Sequence, residues 1–192
     1  MWPWEHLLFA YLLYSLYANV VWRRSPSGPE ALAVAVGSQL PDLVDKPLSW
    51  TFDITQTGYS VGHSIFVVPF VCLAVYVLLH RWERGSVRQA TAFSIAILSH
   101  LAGDIVYPWL TGGHLNPRAV TWPVASPPTV DQGNFLDHVV IYGNRSLEMF
   151  LGGELPQELA VLLGLLALTV VLWVYDGAPI AADCWRWVSR RS

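Results

Sequence analysis

Four stretches of this chain, residues 4–22, 59–80, 87–110 and 157–175, are long and apolar enough to cross about 30 Å of hydrocarbon as helices. In lipid a backbone must satisfy its own N–H and C=O groups, which leaves helices or a closed barrel as the spanning forms. Continuous apolar runs of this length select helices. The expected fold class is therefore an all-α, polytopic membrane bundle forming one domain over residues 1–192. A fifth stretch, 30–50, reads "EALAVAVGSQLPDLVDKPLSW"; it starts apolar and ends in carboxylates, and its Pro41 should end or kink a helix. The first stretch, "MWPWEHLLFAYLLYSLYANVVWRR", lacks a basic leader and a small-residue cleavage site, so it reads as a retained span.

Charge decides how many of these stretches cross. Only 13% of the 192 residues are charged, against about 25% in soluble domains, and ten tryptophans supply interface anchors. The net charge of −3 is small and unclustered, which argues against a nucleic-acid surface. Cys72 and Cys184 lie far apart and form neither a disulfide framework nor a CxxC pair. The basic residues fall in three groups: Arg23 and Arg24; Arg81, Arg84 and Arg88; Arg186, Arg190 and Arg191. All three share one side of the membrane only if 30–50 is also a span, and that side is then cytoplasmic. Five spans put the N-terminus outside, the C-terminus inside, and 111–156 in a long external loop. That loop is rich in Gly, Pro and Asn but carries Trp122, Phe135, Tyr142 and Phe150, which argue for some order, and an "NRS" glycosylation sequon at 144–146.

This topology gathers the metal-type residues. His6, Asp42, Asp45, His63, His100 and Asp104 fall at the outer ends of spans, and His114 and His138 in the external loop. His80 alone lies among the cytoplasmic arginines and serves as an internal control. His100 and Asp104, at i and i+4, share one helix face, the spacing that lets two side chains grip one ion. Imidazole nitrogens and carboxylate oxygens are the ligand set of zinc, manganese and iron sites. Buried without compensation, so many acids and imidazoles would be severely costly. One to three divalent ions would neutralise them; a proton relay or ion pathway would do so as well.

The motifs "EHLLFAYLLY", "GSQLPDLVDKPL", "GHS" and "SHLAGDIVYPW", in that order over about residues 1–110, resemble the membrane-bound metal-dependent hydrolases with a YdjM-like domain. The His and Asp pattern also resembles zinc-dependent phospholipases C and single-strand nucleases, all-α enzymes with clustered zinc ions. Their order of ligands would be met here by His6, Asp45, His63, His100 with Asp104, His114 and His138. The usual PDxD is here PDxxD, which leaves open whether Asp42 or Asp45 ligates; the preferred assignment makes Asp45 the ligand and Asp42 an auxiliary catalytic carboxylate. The "HR" that often precedes the HS motif is replaced by "TGYSVGHS", and Tyr142 stands where an acid would follow His138 at i+4.

The expected protein is thus an integral membrane hydrolase whose site faces the external side. It would use metal-activated water, zinc first with manganese or iron as alternatives, on a phosphoester, with membrane lipid as partner and a lipid headgroup as one candidate substrate. Asp45, His63, His100 and Asp104 would form the primary site, with His6 and His114 near a second ion and Asp104 bridging. Lys46, Arg118 and Arg145 are candidate phosphate contacts. The rivals are a transporter or proton-coupled carrier, and a non-enzymatic metal-binding accessory protein. A carrier should bear ionisable residues through the inner half of the bundle, which is nearly all apolar here.

Overall fold

The computed structural model describes residues 1–81, 86–128, 133–152 and 156–190, apart from the side chains of Ser86, Phe135, Arg145, Ser146, Met149 and Phe150. Arg84, Arg191 and the side chain of Arg145, all used above, lie outside the described residues. The protein is helical, 72% of it, with no strand among the described residues.

Helix α1 (Pro3–Val21) opens with a proline, which costs nothing at a first turn whose N–H groups lack partners anyway. The Glu5 carboxylate accepts the Trp2 N–H at 2.7 Å and closes that turn. Helix α2 (Gly28–Lys46) starts the same way, with Pro29 in its first turn and Glu30 accepting the Ser27 N–H at 3.0 Å. It runs through Pro41 to Lys46 and into a π-helical turn, Pro47–Thr51, so the proline does not end the helix as its chemistry alone suggests. Tertiary packing overrides the lost hydrogen bond, because α2 lies along α4 for most of its length. Gly37 permits that approach: a Cβ there would stand 2.6 Å from the Phe93 carbonyl oxygen.

The third apolar stretch departs furthest from expectation. Its helix, α3 (Val68–Arg81), has 14 residues and is about 21 Å long, short of the hydrocarbon thickness. Residues 59–67 are not helical, because the backbone N–H groups of Ser60, Gly62 and His63 are given to the Asp45 carboxylate rather than to a helix. Helix α4 (Ser86–Leu110) and helix α6 (Gln157–Tyr175) match their stretches closely. They are also the two helices long and apolar enough to cross a membrane. The expected 111–156 loop contains helix α5 (Phe135–Leu151), whose first N–H groups, of Leu136 and Asp137, are capped by the Asn134 side chain. Helix α7 (Ala181–Ser189) follows α6 and was not expected.

Helix α1 packs on α2 and α4, α3 on α4, and α6 on α1. The seam is built from small residues and two large rings: Ala10, Tyr11, Tyr14, Ala18, Ala31, Val34, Ala92 and Ala96 are buried together. Small side chains let helix backbones approach closely, the mode that suits packing in lipid. The outer faces stay apolar, with Phe70 and Leu73 on α3 and Leu168 and Val171 on α6 all exposed.

The two ends of the bundle differ in chemistry. At one end Arg24 and Arg88 both lie over the Trp22 ring, at 5.4 and 6.0 Å, and Asp183 of α7 closes on Gly28 at the start of α2. Close by, the Asp176 carboxylate accepts hydrogen bonds from Tyr11, Ser15 and Asn19 at 2.8, 2.7 and 2.9 Å, joining α6 to α1. The histidines His6, His63 and His100 collect at the other end.

Candidate metal centre

Each side chain of the histidine-rich end is aimed by a local feature. On α4, His100 and Asp104 are one turn apart and face inward. Asp42 comes from the last turns of α2 and His6 from the first turn of α1. His63 arrives on the non-helical 59–67 segment, which reaches α2 because Gly62 has no side chain: a Cβ there would sit 2.7 Å from the Pro41 carbonyl oxygen. His6, His63, His100, Asp42, Asp45 and Asp104 are all buried.

Four atoms converge. His63 Nε2 lies 3.0 Å from His100 Nε2, 3.3 Å from Asp104 Oδ2 and 3.4 Å from Asp42 Oδ1. His100 Nε2 lies 3.4 Å from Asp104 Oδ2 and 3.7 Å from Asp42 Oδ1. Four ligands held at zinc-like bond lengths on a tetrahedron stand about 3.3 Å apart, and these separations bracket that value. The tautomers sharpen the point. His63 Nδ1 donates to Asp45 Oδ2 at 2.8 Å, and His100 Nδ1 donates to the Ser38 carbonyl at 2.6 Å. A neutral imidazole that donates from Nδ1 carries a lone pair on Nε2. With both rings neutral, two lone pairs and two carboxylate oxygens would face one point, an arrangement that a cation would fit.

A second group adjoins the first. Asp104 turns its other oxygen, Oδ1, toward His6 Nε2 and the Met1 α-amino group, each at 3.3 Å. The His6 ring stacks on His100 with centroids 3.6 Å apart, and His6 Nδ1 is buried without a hydrogen-bond partner. His6, His100 and Asp104 on one side, and Asp42, His63 and His100 on the other, are each close enough to hold an ion, with Asp104 placed to bridge.

The preferred sequence assignment made Asp45 the ligand, but of the two carboxylates of PDxxD it is Asp42 that stands in a group close enough to hold an ion. Asp45 is saturated: it accepts from Ser60 N at 2.6 Å, Ser60 Oγ at 2.8 Å, Gly62 N at 2.8 Å and both nitrogens offered by His63. It holds the His63 ring and belongs to neither group of residues close enough to hold an ion. Asp42 presents Oδ1 to the histidines, while its Oδ2 accepts from Lys46 Nζ at 2.6 Å. His114 is exposed and outside both groups. His138 is buried but also outside them; its ring stacks on Trp50 at 4.3 Å. Arg118 is exposed on the short 3-10 turn Pro117–Ala119. Asn144 of the sequon is exposed on α5. Sequence reasoning missed Ser38, Ser60 and the Met1 amine, which act through backbone or hydroxyl groups that no metal-ligand pattern records.

A cavity of about 480 Å³ opens beside the cluster, walled by Trp2, Trp4, Trp50, Tyr107 and Tyr142. Three residues border both. Lys46 lines the cavity and bonds Asp42; Tyr59 lines it and packs edge-on against His63 at 4.9 Å; Met1 lines it and reaches Asp104. The model of the YdjM inner membrane protein family matches residues 1–180. No curated protein and no solved structure matches the chain.

Proposed function

Since the chain belongs to the YdjM inner membrane protein family, we propose that it is a membrane-bound, metal-dependent hydrolase acting on a phosphoester at the external face of that membrane. The observation that carries the reading is the meeting of the His63 and His100 Nε2 atoms with two carboxylate oxygens, all buried, each nitrogen lying 3.0–3.7 Å from the other and from both oxygens, beside an aromatic-walled cavity. Asp42, His63, His100 and Asp104 would hold one divalent ion, zinc by donor set, and His6 with Asp104 a second. Such ions activate a water for attack on phosphorus and neutralise charge on the phosphoryl oxygens. The chain's own part is orientation. Asp45 and the Ser38 carbonyl fix the two rings, and such supporting contacts are worth 10–100-fold in metal affinity elsewhere, to an order of about that size. Lys46, at the boundary of cavity and cluster, can receive an anionic phosphoryl oxygen beside the aromatic walls.

The contrast between the two ends supports the external placement. In the five-span arrangement α1, α2, α3, α4 and α6 cross, and the described arginines of the three basic groups stand at the end away from the ligands. The non-helical 59–67 segment is tolerable at membrane depth because it is bedded in protein, on Asp45 and α2. Substrate would then reach the cavity from the outer leaflet, which makes a lipid headgroup the leading substrate source. The buried seam of Ala10, Tyr14, Ala18, Val34 and Ala96 between the two ends counts against a continuous ion path.

The test is a screen of phosphomonoesters, phosphodiesters and phospholipids with purified protein, chelator and metal add-back. Metal-dependent turnover is expected, and Asp104→Asn, which keeps shape but removes the bridging charge, should abolish it while the protein stays folded. Full activity in that variant, or no hydrolysis by well-metallated protein, would overturn the reading in favour of an accessory metal protein.

A further inference from the structure

Asp42, Lys46 and Trp50 follow one another at intervals of four along the end of α2 and its π-helical turn, and they form a stripe from the metal cluster to the cavity. A contact joins each step. Lys46 Nζ donates to Asp42 Oδ2 at 2.6 Å, and the same ammonium stands 5.5 Å from the centre of the Trp50 ring. Lys46 and Trp50 both line the cavity. The indole Nε1–H of Trp50 is buried and finds no hydrogen-bond partner among the described residues. A buried N–H donor without an acceptor is costly, so it marks a place where an acceptor belongs. The ring is held in place: the His138 imidazole stacks on it at 4.3 Å with the planes 9° apart, and Tyr142 lies at 6.0 Å. His138 is itself tied through Nδ1, which donates to the Asn134 carbonyl at 2.9 Å. This gives His138, which stands outside both ligand groups, a place in the cavity wall. Gly58 lines the cavity too; a Cβ there would stand 3.6 Å from Lys46 Cγ and 3.8 Å from Trp50 Nε1, so its bare backbone leaves room beside both side chains.

We propose that Lys46 and the Trp50 indole N–H together seat an anionic phosphoryl oxygen, with His138 as the residue that positions the indole. An ammonium carries three N–H donors and Asp42 takes one, so Lys46 has capacity for an oxyanion. A hydrogen bond to an ionised oxygen is about twice as strong as one between neutral groups, which makes an anion the better match for the orphan donor. Glu158 of α6 also lines the cavity, and its carboxylate leaves the Lys46 wall as the side that an anion prefers. An oxyanion on that wall is separated by one side chain from the cluster, because Asp42 turns its other oxygen toward His63 and His100. The inference rests on the hydrolase reading for its phosphoryl ligand but asks only for binding, so each can fail without the other.

The test uses the full chain in detergent micelles with nitrogen-15 in its tryptophans. Trp50→Phe identifies the Trp50 indole N–H among the ten tryptophan signals. Added inorganic phosphate should move that proton downfield and slow its exchange with water. By calorimetry, Trp50→Phe and Lys46→Met should each raise the phosphate dissociation constant about tenfold. His138→Ala should broaden the indole signal and weaken binding, and His138→Phe, which keeps a stacked ring, should restore both. Dihexanoyl phosphatidic acid presents the same group on a lipid. A shift with both ligands shows that the seat accepts a headgroup, and a shift with inorganic phosphate alone assigns it to a soluble phosphoester. An indole proton that stays in place as phosphate is added overturns the proposal. So does phosphate binding of unchanged strength in Trp50→Phe and Lys46→Met.

Discussion

Asp42 and Asp45 are one helical turn apart, and both face inward, yet one meets the histidines across an open point while the other disappears into a net of hydrogen bonds. The difference predicts different failures. Asp42→Asn removes a donor from the cluster, and His63→Ala and His100→Ala remove one each, so purified protein should lose most of its bound transition metal. Asp45→Asn leaves the donors in place but loosens the His63 ring, and should weaken affinity by about 10–100-fold without abolishing binding. His80→Ala, exposed at the far end of α3 with its ring against Tyr76, should change nothing. Metal titration followed by elemental analysis separates these cases; equal metal in all five variants would mean the cluster does something else. The His100–Asp104 pair was legible in the sequence because helix periodicity alone puts i and i+4 together. The division of labour between Asp42 and Asp45 was not, because it depends on a segment 15 to 18 residues further on folding back to occupy one of them.

At the scale of elements, the helices at 4–22, 87–110 and 157–175 were readable to within a residue or so, since apolar length is a local property. Helix α5 had a local signal as well, Asn134 with Asp137 three residues on, and an apolar-length criterion passes over it. The loss of helix over 59–67 had none, because the competing partner for its N–H groups is remote in sequence. The α2–α4 contact gives a direct energetic test. Gly37→Ala forces a methyl against the Phe93 carbonyl and should cost about 1–3 kcal/mol. Gly164→Ala, on α6 with nothing within 4 Å, should instead gain roughly 0.5–1 kcal/mol from helix propensity. Denaturant unfolding in detergent measures both, and a destabilised Gly164→Ala, or an unaffected Gly37→Ala, would contradict the packing described.

For the molecule as a whole, the opposition between an arginine end and a histidine end predicts its orientation. In intact cells an impermeant maleimide should fail to reach Cys184 on α7, and should label a cysteine placed at the exposed His114; the reverse pattern would put the metal cluster on the wrong side for the proposed chemistry. The opposition was foreseeable from basic residues and histidines counted along the chain, whereas α7 and the aromatic cavity depend on how distant segments meet. The cluster also draws on α1, α2, the 59–67 segment and α4 at once, so an ion there is a cross-link among four parts of the chain. A ligand that binds only the folded state adds to stability in proportion to the logarithm of its concentration, about 2.7 kcal/mol at a hundred times its dissociation constant. Stripping the metal should therefore lower the unfolding temperature and loosen the histidine end first, with amide exchange rising at Ser60, Gly62 and His63 before it rises in the Ala10–Tyr14–Ala18 seam. Uniform exchange with and without chelator would show that the fold stands without its ion. If the order holds, the histidine half of this bundle is assembled by the metal supply of the compartment it faces, and scarcity of the ion acts on the shape of the protein itself.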